Sequence, residues 1–220
     1  MLLFLTQFVY GQGGGQNNMA TRILNTDYIN NKNSQSLADV KGSPFLNDSW
    51  QKGYLYLTGG GSIFVNKLKL NGYTGELHYI DEKGVELAPI DGAVTKVHIH
   101  DPKDSTIVIN KYYAFTDRTK NNRKLFFEVH NEGAIQIVSR IEKFIFTENY
   151  DPLKGKTAQY FKNNTVYAIA YEGNLTFINE LNYANVMNAL PKTNNKGLVN
   201  KKYKLKTLKE VIAFLDELNY

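Results

Sequence analysis

In this chain, chemistry would fall to histidines, carboxylates, hydroxyls and lysines, because there is no cysteine. His98-Ile99-His100-Asp101 is the sharpest local arrangement. Residues two apart in a strand share a face, so His98 and His100 could offer two imidazoles to one divalent ion, with Asp101 or His78 nearby. Zinc accepts such ligands. No second motif supplies the remaining ligands at a telling spacing. The expectation is therefore no resident metal and a pair of surface histidines at a strand end, just before the Asp101-Pro102 turn. His130 stands alone between Val129 and Asn131. It would act as a general base only if folding brought a nucleophile to it, and no Gly-x-Ser-x-Gly elbow suggests one. Glu76, Asp81, Glu82, Glu86, Asp91, Glu128 and Glu142 are the carboxylates a glycosidase would draw on. Such an enzyme needs two of them facing across a few ångströms, and most of these sit at turns or alternate with apolar residues. Gly59-Gly60-Gly61 lacks the Lys-Ser/Thr and the strand-to-helix context of a phosphate loop, so it is expected to be a hairpin turn. No catalytic residue and no cofactor is assigned.

Positive charge and aromatic rings are the other chemical resources. Lys192, Lys196, Lys201, Lys202, Lys204, Lys206 and Lys209 occupy one stretch with no acid, and these seven exceed the whole net charge of +5. Lysines at that density could hold phosphates by counterion release. Lys196, Lys201, Lys202, Lys204 and Lys206 are the expected contacts to an anionic lipid, lipopolysaccharide or acidic glycan, and nucleic acid is the poorer fit for an exported chain. The bland alternative is a solvated loop and helix face. Tyr (15) and Phe (12) are plentiful. Tyr112-Tyr113 and the other strand tyrosines could form a stacking platform for sugars, since an aromatic ring offers apolar area with a polar tip. Ordinary core and edge packing is the alternative.

Those residues must be positioned by strands. At 220 residues, with 42% hydrophobic and 21% charged, the chain suits one β-rich domain. Aromatic residues favour a pleated, half-buried surface, and abundant Asn favours turns. Alternation predicts strands over 54–57, 63–70, 76–80, 85–87, 94–100, 106–115, 124–130, 134–146, 159–161 and 165–171. Within 63–70, Ile63, Val65 and Lys67 are expected on one face and Phe64, Leu68 and Leu70 on the other. Asn71-Gly72 signals a hairpin, and Asn121-Asn122, Asn131-Glu132-Gly133, Asn163-Asn164 and Glu172-Gly173-Asn174 read as turns. Strands at about ten-residue spacing suit an antiparallel meander, a sandwich or a partly closed barrel.

The ends differ in character. Met1 to Tyr10 is an apolar run too short to span a membrane, followed by Gly13-Gly14-Gly15. It is expected to be a signal peptide over 1–11, with Val9 and Gly11 at the cleavage positions, although it lacks a basic start. Residues 12–41 are then a flexible leader and 42–220 the domain. No other stretch is long and apolar enough to cross a membrane. Glu180 to Leu190 is a candidate helix stopped by Pro191. Thr207 to Leu218 is a second, opened by the capping box Thr207-x-x-Glu210, with Leu208, Val211, Ile212, Leu215 and Leu218 on one face.

Gly42-Ser43-Pro44-Phe45-Leu46-Asn47-Asp48-Ser49-Trp50, then Leu68-Lys69-Leu70-Asn71-Gly72-Tyr73 with Glu76-Leu77, resembles a group of secreted, β-rich proteins of unassigned function from Gram-negative bacteria. The Lys-rich stretch before the final helix fits the same pattern. The resemblance implies export and a β-rich fold, and it brings no activity and no site residues.

The expected protein is thus mainly β with a short helical C-terminus, exported to the periplasm, outer membrane or medium. Its first expected role is non-enzymatic binding of a ligand or partner in the envelope. A hydrolase acting on an extracellular polymer and a purely structural envelope component are the alternatives.

Overall fold

The computed structural model of the chain describes residues 27–28, 37, 39–148, 157–192 and 203–219. Among these residues twelve strands make one sheet: β1 Asp27–Tyr28, β2 Val40–Lys41, β3 Gln51–Leu57, β4 Ser62–Leu70, β5 Leu77–Ile80, β6 Glu86–Ala88, β7 Val94–His100, β8 Val108–Asp117, β9 Arg123–Val129, β10 Ile135–Thr147, β11 Gln159–Tyr171 and β12 Asn174–Ile178. Helices α1 Tyr183–Ala189 and α2 Leu208–Leu218 follow. The protein is mainly β with a short helical C-terminus, as its alternation implies. The expected signal peptide over 1–11, most of the 12–41 leader, and Lys196, Lys201 and Lys202 lie outside the described residues. The short strands β1 and β2 fall within 12–41.

The strand order is β1-β6-β5-β4-β3-β7-β8-β9-β10-β11-β12, with β2 parallel to β11. From β3 the chain meanders outward to β6, returns to lay β7 on the other side of β3, and then meanders the opposite way to β12. The sheet does not close. Its first hairpin turns through Thr58–Gly61, where Gly60 and Gly61 both have positive φ.

Three assignments change, the simplest being Asn174, expected in a turn with Glu172 and Gly173, which opens the unexpected strand β12 and pairs with Tyr171. β11 is one strand of 13 residues, not two strands with a turn at Asn163-Asn164. Those asparagines pair with Lys143 and Glu142 across the β10–β11 ribbon, whose ladder carries the chain straight through them. On β4, Val65, Leu68 and Leu70 bury into the same core, instead of alternating faces. A register shift between Gln51 and Gly53 gives β4 an extra residue, and such a bulge turns the side chains beyond it by one position.

One face of the sheet carries two apolar clusters. Leu55, Leu57, Leu68, Val97 and Ile99 form the first, with Tyr112 and Phe126 packed on it. Ile135, Ile137, Ile169 and Ile178 form the second with Val211, Phe214 and Leu215 of α2 and Val186 of α1. Burying each such side chain contributes roughly 1.5–3 kcal/mol. α1 is capped by Asn182, whose Oδ1 accepts the Asn185 N–H at 2.9 Å, and it ends as Leu190 turns extended before Pro191. α2 carries the complete capping box between Thr207 and Glu210. The opposite face holds a third cluster of Leu125, Phe127, Val138, Ala168 and Ala170. Among the described residues, no helix is long and apolar enough to cross a membrane.

Candidate functional site: a cationic pocket at a split in the sheet

β9 and β10 pair through only two residue pairs, Val129 with Val138 and Glu128 with Ser139. Beyond them the strands part. The turn between β4 and β5 occupies the split, and Lys143 donates its backbone N–H to Gly72 O at 2.9 Å. Asn71 shapes that turn. Its Oδ1 accepts the N–H groups of Tyr73 at 3.0 Å and Thr74 at 3.1 Å, an Asx turn of the kind that suits asparagine.

The split leaves a cavity of about 590 Å³. Four cations line it: Lys120, Arg123, Arg140 and Lys143. Among the described residues Glu142 is the only carboxylate in its wall, while Asn163 and Asn164 supply amides and Tyr73 and Phe144 supply exposed rings. These come from separate elements. Lys120 sits on the 3-10 turn Arg118–Lys120, Arg123 opens β9, and Arg140 to Phe144 belong to β10.

Arg140 is the floor. Its side chain is 10% exposed, it reaches Asp117 Oδ2 at 3.3 Å, and it also pairs with Glu142. Its guanidinium lies 5.0 Å from the centre of the Phe127 ring. Asp117 also accepts from Thr119 N at 2.8 Å and Thr119 Oγ1 at 2.6 Å, so one carboxylate fixes both Arg140 and the turn bearing Lys120. Lys120 lies 3.7 Å from Glu142, and Lys143 Nζ donates to Ser43 O at 2.8 Å. Arg123 is exposed, and among the described residues it has no ion-pair partner within 4 Å. With Asp117 and Glu142 counted against the four cations, the pocket keeps an excess of positive charge. Low-dielectric walls concentrate that field.

The other candidates fall elsewhere. His98 and His100 do share a face, but their surroundings do not suit a cation. Burial, then Lys111 and Lys96, push His98 below its ordinary value. No group of three His, Asp or Glu side chains able to hold a metal occurs among the described residues. His100 Nδ1 bonds Ser105 O. His78 is instead the histidine held by acids, with Nδ1 2.8 Å from Glu86 and Nε2 3.9 Å from Glu76. Burial opposes its protonation, but the two carboxylates outweigh burial and raise it. Tyr112 and Tyr113 point to opposite faces. Tyr112 packs on the first core and Tyr113 stays half-buried beside His98. Lys204 and Lys206 are exposed on either side of the buried Leu205.

His130 does meet a hydroxyl. Its Nε2 lies 2.7 Å from Ser139 Oγ across the β9–β10 turn. Burial pushes the imidazole below its ordinary value, against Glu128, which favours the neutral form a base needs. Glu128, however, accepts from Asn110 Nδ2 at 2.7 Å, and Ser139 is 6% exposed in mid-strand. The pair lacks the orienting carboxylate bond and sharp turn of a hydrolase nucleophile.

No protein family, no curated protein and no solved structure matches this chain.

Proposed function

We propose that this is an exported, non-enzymatic binding protein of the envelope that takes a small anionic ligand, carboxylate- or phosphate-bearing, in the pocket at the β9–β10 split. The observation that carries this reading is that four cations line the cavity against a single lining carboxylate among the described residues. Arg140 and Lys143 are held by protein partners and shape the site. Lys120 and Arg123 are exposed; Lys120 shares Glu142 with Arg140, so Arg123 is the cation whose charge goes first to the ligand. Asn163 and Asn164 add donors, and Tyr73 and Phe144 cover apolar parts of it. Export rests on the apolar run at 1–11 and on the resemblance to secreted proteins. Lys204 and Lys206, with Lys196, Lys201 and Lys202, add a contact to anionic lipid or glycan at the same envelope.

Titration calorimetry with citrate, galacturonate and inorganic phosphate tests the pocket. At least one is expected to bind, and Arg123→Ala and Lys120→Ala are each expected to weaken it about tenfold, the effect of one charge-assisted hydrogen bond. Binding that ignores both substitutions, or no binding by any of the three, would overturn the assignment. Deleting residues 1–11 and fractionating cells tests export separately, and unchanged export would remove that part.

A hydrolase is the second reading, favoured only by the His130–Ser139 contact at 2.7 Å. Labelling of the intact protein by a fluorophosphonate, lost in Ser139→Ala, would establish it.

A further inference from the structure

Five rings stand on the face of the sheet that points away from the first core. Tyr54 and Tyr56 project from β3, Phe64 from β4, His98 from β7 and Tyr113 from β8, four strands that lie side by side. The rings touch in sequence. Phe64 lies 5.1 Å from Tyr54, Tyr54 6.5 Å from Tyr56, Tyr56 4.7 Å from His98, and His98 6.4 Å from Tyr113. None of the five belongs to the apolar clusters, and Phe64 is 39% exposed. Three inter-strand steps make the strip about 14 Å long.

Lysines border the strip. Lys96 Nζ sits 4.6 Å from the centre of the Tyr113 ring, Lys111 pairs across from His98, and Lys52 precedes Tyr54 by two residues on the same face. Glu132 is the one carboxylate bonded there, at Lys111. Lys52 and Lys96 have no carboxylate partner among the described residues.

We infer that this face binds a single chain of an acidic polysaccharide, with sugar rings against Phe64, Tyr54, Tyr56 and Tyr113, and carboxylates against Lys96 and Lys52. The strip runs across four strands, so it fits a polymer making many shallow contacts, where each contact raises the local concentration for the next. Aromatic side chains with polar tips suit a ligand whose rings have apolar faces and hydroxyl edges. The two tyrosines of β3 and Phe64 are inclined to one another by 42° to 60°. That inclination suits puckered sugar rings better than the flat plates that nucleic-acid bases stack on. The excess of lysine complements carboxylates. This surface is separate from the β9–β10 pocket, and the Phe64→Ser and Lys96→Ala variants, which leave the pocket lining intact, tell binding at the strip from binding of the same sugar in the pocket.

Affinity gel electrophoresis of the intact protein in polygalacturonate, with dextran as the neutral polymer, gives the readout. Retardation by polygalacturonate and not by dextran is expected. Phe64→Ser and Lys96→Ala are each expected to weaken it at least fivefold, while Lys83→Ala, in a remote turn, is not. Near-UV circular dichroism verifies that the variants keep the fold. Absence of retardation, or retardation unchanged in both variants, would overturn the inference. So would tighter binding of oligo(dT) than of polygalacturonate with the same sensitivity to Phe64→Ser, which would assign the strip to single-stranded nucleic acid.

Discussion

Arg140 meets Asp117 with its guanidinium nitrogen 3.3 Å from Oδ2, and the two side chains are only 10% and 1% exposed. Two charges withdrawn from water are tolerable together and not apart. Removing one partner of a buried pair costs about 3–5 kcal/mol, since it leaves an uncompensated charge. Asp117→Asn keeps the shape and the bonds to Thr119 but removes the charge. Glu142 still pairs with Arg140 in this variant, so it is expected to lower stability by about 2 kcal/mol, the worth of one hydrogen bond to a charged group, read as a shift of the denaturation midpoint without a change in slope. A loss under about 0.5 kcal/mol, the usual range for a surface substitution, would show the pair to be solvated and would remove Arg140 from the pocket floor.

The histidines should titrate in a definite order. His78, raised by Glu76 and Glu86, should have its midpoint above 6.5, and His98, lowered by burial and two lysines, below 6.5. The signs for stability are opposite. His78 contributes stability that is fully present below its unfolded value and is lost as pH rises through its higher folded one. His98 and His130 are shifted down chiefly by burial, so as pH falls from their unfolded value toward their lower folded ones they subtract stability. Proton NMR titration of the imidazole resonances checks the order, and Glu86→Gln should bring the His78 midpoint down. A His78 midpoint lower than that of His98 would contradict the pairing.

Two glycines separate two kinds of backbone cost. Gly60 has φ of +88° with open space around it, whereas a Cβ on Gly53 would stand 2.3 Å from the carbonyl oxygen of His98 on the neighbouring strand. Gly60→Ala should cost about 1 kcal/mol, the conformational penalty alone. Gly53→Ala must push β3 from β7 and should cost several times more, about 3 kcal/mol or above. Thermal melts of the two variants measured together check the ratio.

The final helix offers a local test. Thr207 accepts the Glu210 N–H at 3.3 Å, and Glu210 accepts from Thr207 N at 3.0 Å. Thr207→Ala should cost about 1 kcal/mol. Hydrogen exchange should show the first turn of α2 opening more readily while the β3–β7 ladder is unchanged.

Strand content was legible because alternation survives wherever one face meets a core, as in Tyr54-Leu55-Tyr56-Leu57. The capping box fixed the start of α2 for an equally local reason. β12 is not legible because Glu172 and Gly173 turn the chain so tightly that Asn174, a turn-forming residue by type, already pairs with Tyr171. The bulge beside Gly53 has no sequence marker beyond the glycine itself, so strict alternation puts Leu68 on the wrong face. The pocket was hidden for a different reason. Lys120, Arg123, Arg140 and Lys143 each look like the polar half of an alternation or a turn, and only the parting of β9 from β10 brings them together. The His130–Ser139 contact could have been anticipated from the Asn131-Glu132-Gly133 turn, which folds the residues on either side of it against each other.

The bond from Lys143 to Gly72 spans two stretches of chain that are otherwise far apart in the strand order, one from each outward run of the meander. It acts as a seam between two half-sheets joined mainly through β3 and β7. A ligand seated there would touch both sides of the seam at once, Gly72 to Gly75 on one and Lys120 to Phe144 on the other. Occupancy would therefore be felt as cohesion: the halves would come apart in a single event where the empty protein could yield first along its seam.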